Sequence, residues 1–199
     1  MKKIFLFFAA VAMTAGVMSA QDINQATEAY NNGAMELQMG NNAAAVENFK
    51  TALTMGEALG DEGADLVANC KKAISSAYLS MAKDLYNAKD FDGAVTAFQQ
   101  AKEVAEGYGE AEIAAEAGEL IGQTEMLKYN TAGKEAMKAK DYPTAIANFS
   151  KVLEMDPANG GVAIQLGQAY MRAGQLDESI AALETAKANG EEENAAKLL

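Results

Sequence analysis

The strongest constraint on this chain is a small-then-aromatic spacing that returns in register: Ala45/Phe49/Ala52, Ala94/Phe98/Ala101, Ala145/Phe149/Val152 and a weaker Ser179/Leu183/Ala186. Offsets of four and three residues place each trio on one face of an α-helix. The small residues let a second helix approach closely, and the large one fills the space between. Counted on the first residue of each trio, the intervals are 49, 51 and 34 residues. A helical unit of this size cannot bury its apolar stripe alone, so successive units stack and cover one another. Two prolines, many alanines and no long run of alternating β-branched residues make the chain all helical.

Ahead of the repeats, Lys2 and Lys3 precede an apolar run from Ile4 to Val17 and the small residues Ser19-Ala20. This pattern predicts a secretory signal peptide over residues 1–20, because the run falls short of the roughly 20 apolar residues that span a membrane. The expected localisation is periplasmic or secreted. No cysteine stands at the cleavage point for lipid attachment, and no later stretch is apolar enough to span. Removing the leader leaves 14 basic residues against the same 28 acidic ones, which moves the net charge from -12 to -14. Nucleic acid and anionic membrane both require a basic face, so neither is expected as a partner.

Cys70 is the only cysteine, so no intramolecular disulfide can form. It shares a helical stripe with Leu66, Val67, Ile74, Ala77, Tyr78 and Met81, where it reads as core filler. The chain contains no histidine, no Gly-rich phosphate loop, no Cys-x-x-Cys and no Gly-x-Ser-x-Gly. Its adjacent carboxylates, Asp61/Glu62 and Glu191/Glu192, sit beside helix starts and suit solvated caps better than a general acid and base. No catalytic residue, metal site or cofactor is expected.

The C-terminal half carries a family resemblance. Leu166-Gly167-x-x-Tyr170, Gly174 at a turn, then Ser179, Leu183 and Ala186 resemble the tetratricopeptide repeat, whose period is about 34 residues. Tyr129, Gly133, Tyr142, Ala145, Phe149 and Pro157 follow the same pattern, as do Tyr78, Ala82, Phe91, Ala94, Phe98 and Ala101. The first repeat keeps Gly33, Gly40, Ala45, Phe49 and Ala52, but has Glu36 and Asn42 where the pattern has aromatics. The resemblance implies an α-solenoid of about four antiparallel helix pairs, over residues 26–59, 75–108, 126–159 and 160–193. Gly133 and Gly167 are expected to meet Ala145 and Ser179, with Phe149 and Leu183 pointing toward the next repeat. A short helix opened by Glu191-Glu192-Glu193 is expected to cover the last repeat.

The first two intervals exceed 34 by 15 and 17 residues, at 57–74 and 106–125. Either the next repeat's first helix extends backward, from about Gly63 to Ala88 and from about Glu110 to Ala139, or a separate short helix stands between repeats. Ser75-Ser76 and the stretch from Gly122 to Thr124 offer N-caps where an ordinary repeat begins, which favours separate helices.

By the resemblance, the first helix of each repeat lines a groove that binds a peptide or an amphipathic segment. The candidate groove residues are Tyr30, Leu37, Leu79, Lys83, Tyr86, Asn130, Lys134, Met137 and Met171, with Tyr30, Leu79, Tyr86, Met137 and Lys134 expected to be exposed. Lys83 and Lys134 stand at equivalent places and would suit an acidic peptide, or are simply solvated. The apolar members face either a partner or the protein's own inter-repeat helices. The family's lysine, asparagine and arginine set for a peptide's terminal carboxylate is not reproduced. The expected function is a non-catalytic protein-protein interaction adaptor of the cell envelope; the alternative is a self-assembling structural scaffold, so a homo-oligomer stays open.

Overall fold

Each of the four trios falls in the second helix of an antiparallel pair. The computed structural model describes residues 20–199: α1 (Ala20–Gln38), α2 (Asn42–Ala58), a 3-10 turn (Gly60–Gly63), α3 (Ala64–Asn87), α4 (Phe91–Tyr108), α5 (Ala111–Ala139), α6 (Tyr142–Met155), α7 (Gly160–Ala173), α8 (Leu176–Ala188) and α9 (Glu192–Ala196). Apart from Ala20, the leader expected over residues 1–20 lies outside the described residues. Among the described residues there is no strand, and the helices pack chiefly on their neighbours in sequence, as in a solenoid.

The turn inside each pair repeats the intervals of the trios. Gly40, Lys89, Lys140 and Gly174 all adopt the left-handed conformation, with φ of 79°, 63°, 61° and 80°. Each donates its N–H to the carbonyl three residues back, and the following residue donates to the carbonyl five back. In the third pair these are Lys140 to Met137 (3.1 Å) and Asp141 to Ala136 (2.9 Å). Both bonds satisfy carbonyls that a helix end leaves unpaired. Asp90 and Asp141 then cap the next helix, their carboxylates accepting from the N–H of Gly93 (3.0 Å) and Thr144 (3.2 Å).

Packing inside the pairs corrects one expectation in part: Gly133 meets Phe149 rather than Ala145, while Phe149 also lies in one cluster with Val162 and Leu166 of the next repeat, as expected. Phe49, Phe98, Phe149 and Leu183 are fully buried, each stabilising its pair by about 1.5–3 kcal/mol. They press on the small residue sixteen positions earlier, within their own repeat. A methyl group on Gly133 would stand 2.6 Å from Phe149 Cε1, and one on Gly167 2.7 Å from Leu183 Cγ. Ala82, buried in the second repeat, holds the equivalent place. Gly167 does meet Ser179, whose Oγ donates to the Gly167 carbonyl (2.8 Å).

The inter-repeat segments are not separate helices. Residues 64–87 form one helix of 24 residues and 111–139 one of 29, against 14 for α7. Ser75 and Thr124 are buried inside them, and each hydroxyl donates backward to the carbonyl four residues earlier: Ser75 to Lys71 (2.9 Å) and Thr124 to Leu120 (2.6 Å). A hydroxyl satisfied in this way needs no exposed backbone N–H to cap, so the helix runs through. At the far end α9 covers part of the last repeat, with Ala195 buried in one cluster with Leu183 and Ala186, and Leu198 packed against it.

Candidate functional site

The first helices, α1, α3, α5 and α7, present the expected groove residues, and the two halves treat them differently. In the N-terminal half most are engaged within the fold. Tyr30 is half-buried with its ring 5.3 Å from that of Phe49, and Leu37 packs on the same cluster. Leu79 is only 6% exposed and shares a core cluster with Phe98 and Ala117, against which Ile113 and Leu120 also pack. Leu79 is therefore core, not groove: the backward extension of α5 brings Ala117 over it. Tyr86 is half-buried, edge-on to Phe91 at 6.2 Å. Lys83 reaches across to the extension and pairs with Glu116 (2.6 Å).

The C-terminal half is more open. Lys134 and Met171 are exposed, together with Leu127. Met137 is half-buried against the cluster of Val152 and Leu166, so its expected exposure is corrected as well. Asn130 is half-buried, and its Oδ1 accepts no hydrogen bond from the described residues. Lys134, Lys138 and Arg172 are exposed and enter none of the ion pairs among the described residues. Between α7 and α9 lies a cleft of about 410 Å³, lined by Gly161, Ile164, Gln168, Glu191, Asn194, Lys197 and Leu198. Ile164 and Gln168 stand on α7 at the places that Leu79 and Lys83 hold on α3.

A larger cleft, about 880 Å³, lies on the other side of α3, between α2 and α4. Tyr78, Met81 and Leu85 line it beside Ala43, Ala44 and Ala97, and Asn42 Nδ2 donates to Asp84 Oδ2 (2.9 Å) across it. Tyr78 and Met81 carry the helical spacing of core residues, which gives no sign of an open cleft above them.

Cys70 is fully buried, and desolvation pushes its thiol up to about 11. The protonated form is inert as a nucleophile, in keeping with a packing role. Among the described residues no three histidine, cysteine or carboxylate side chains are placed to hold a metal ion, and no helix is long and apolar enough to cross a membrane.

Comparison with known proteins finds the same kind of repeat in the C-terminal part of the chain. The tetratricopeptide-repeat family model matches residues 136–199. No curated protein matches the chain. Among solved structures it is similar to the C-terminal TPR-containing domain of a Plasmodium falciparum FK506-binding protein, at 22% identity over 66% of this chain and 87% of that one, with a TM-score of 0.38. It is also similar to YrrB, described as a TPR protein with an unusual peptide-binding site, at 19% identity over 90% and 94% of the two chains and a TM-score of 0.34. MamA from Desulfovibrio magneticus RS-1 gives 21% identity over 85% and 77%, with a TM-score of 0.28. With TM-scores this low, none of the three carries an argument about what this chain binds.

Proposed function

Starting from a chain that carries tetratricopeptide repeats, a scaffold for protein-protein interaction, we propose that it is a non-catalytic adaptor of the cell envelope that holds an amphipathic, acidic segment of a partner. The segment lies on the face of α5 and α7 and runs toward the cleft beside α9. One observation carries this reading: among the described residues Lys134, Lys138 and Arg172 are exposed and enter no ion pair, on the same two helices as the exposed Leu127 and Met171, in a chain of net charge -12. A local basic edge beside apolar side chains suits a segment that is apolar on one side and acidic on the other. The leader-like first twenty residues support a place outside the cytoplasm.

Crosslinking in the envelope of the cell of origin, read by mass spectrometry, tests the proposal. One strong partner tied through α5 and α7 is expected, with capture reduced about tenfold in the Lys134→Glu, Met171→Ala double variant. Crosslinks confined to copies of this chain would favour the self-assembling scaffold. A partner held away from α5 and α7 would remove the groove and keep the adaptor.

A further inference from the structure

Asparagine followed by glycine occurs at three places, Asn32-Gly33, Asn159-Gly160 and Asn189-Gly190. In this dipeptide no side chain shields the glycine nitrogen, so wherever the segment can open, that nitrogen can reach the amide carbon of the asparagine. The fold treats the three unequally. Gly33 lies inside α1, buried under Phe49, with its N–H in the helix ladder. Asn159 caps α7, and both ends of its amide are held: Oδ1 accepts from the Val162 N–H (3.2 Å), Nδ2 donates to Asp156 Oδ2 (3.1 Å), and Gly160 is buried. Asn189 stands in the short turn between α8 and α9, and Gly190 after it is exposed, in the left-handed conformation at φ 91°. The Gly190 N–H makes one long bond, to the Lys187 carbonyl at 3.3 Å.

We propose that Asn189 is a site of spontaneous deamidation, and that the reaction unties the turn before α9 from the turn before α7. The Gly190 nitrogen, losing its proton to base, bonds to Asn189 Cγ; the Cγ–Nδ2 bond breaks, and Nδ2 leaves as ammonia. Water then opens the resulting cyclic imide at one or the other of its carbonyl carbons, giving aspartate or isoaspartate. The group that is lost is a structural one, since Nδ2 donates to the Pro157 carbonyl (3.0 Å). The two turns touch there: a methyl group on Gly160 would stand 2.8 Å from the Asn189 carbonyl oxygen. A carboxylate in place of the amide has no proton to give and sets an oxygen against that of Pro157. The isoaspartate product also adds a carbon to the backbone of the turn. Held by few apolar side chains, chiefly Ala195 and Leu198, the five-residue α9 depends on this tie more than a long helix would.

Peptide mapping by mass spectrometry tests the proposal, on the whole protein kept at mildly alkaline pH and sampled over time, and on the same protein in urea. Folded, Asn189 should convert at least about tenfold faster than Asn32 or Asn159. In urea the three should convert at comparable rates, which would show that the fold makes the choice. Asn189→Gln should stay unconverted at that position, because ring closure from the longer side chain is slower. Preferential conversion of Asn32 or Asn159 in the folded protein, or no conversion of Asn189 there while it proceeds in urea, would overturn the proposal. Hydrogen exchange reads the untying on Asn189→Asp, which carries the product from the start. Protection of the Ala195 and Leu198 amides, which are bonded within this segment, should fall about tenfold with α5 unchanged. Unchanged protection at both would overturn the untying, since the bond to Pro157 would then not be what holds α9.

Discussion

The two halves of the solenoid use the same hairpin and differ in the helix that follows it. After α2 and α4 the chain enters helices of 24 and 29 residues, whose added turns lie back on the preceding repeat. Cys70 and Ile74 complete the core over α2, and Ala117 closes over Leu79. After α6 the chain turns at Asp156-Pro157 and starts a helix of only 14 residues, so the face of α5 and α7 stays open. The same repeat position is therefore fully core in one half and only half-buried in the other. Leu79 and Ile164 are equivalent in register; one is buried and the other lines a cleft. The length of the next helix decides which.

This contrast breaks first at the small residue that faces the large one. Gly133→Ala drives a methyl group into Phe149 and should cost about 1–3 kcal/mol in chemical denaturation. Ala82→Gly at the matching place loses helix propensity and one buried methyl group, about 1–2 kcal/mol together. A neutral Gly133→Ala would mean that close helix approach is not what fixes the pair. A smaller effect of opposite sign tests the continuity of α5. Gly122 lies inside that helix with nothing near its missing side chain, so Gly122→Ala should stabilise by about 0.5–1 kcal/mol. A loss of stability there would reinstate a break between repeats.

The smallest effect belongs to Cys70, in the core that the extension of α3 builds. Burial raises its thiol from 9.0 to about 11, so the folded protein keeps a proton that the unfolded chain releases. The contribution is fully present below pH 9 and is lost as pH rises toward 11. Denaturation midpoints across that range should fall less steeply for Cys70→Ala than for the parent protein. Equal slopes would mean that Cys70 is not desolvated and that the added turns of α3 do not seal this core.

Much of the fold is legible in the residues because close packing has a strict spacing. Phe149 needs a partner without a side chain sixteen positions earlier, and Gly133 is there. The turns repeat the same intervals even where lysine replaces glycine, at Lys89 and Lys140. The groove is less legible. Tyr30, Leu79, Tyr86 and Met137 have the spacing of a lining face, but a half-covered residue and an exposed one have the same spacing. Ser75 and Thr124 are residues that cap helices, and they also bond backward within them.

The sequence by itself determined the unit, its repetition, its close-packed pairs and the acidic surface, since these follow from side-chain size, charge and helical period. Only the tertiary structure decided that the added segments are continuous helices and that Leu79 is core. Each of those outcomes depends on whether a neighbouring helix reaches the residue, and that is set by packing between elements rather than within one.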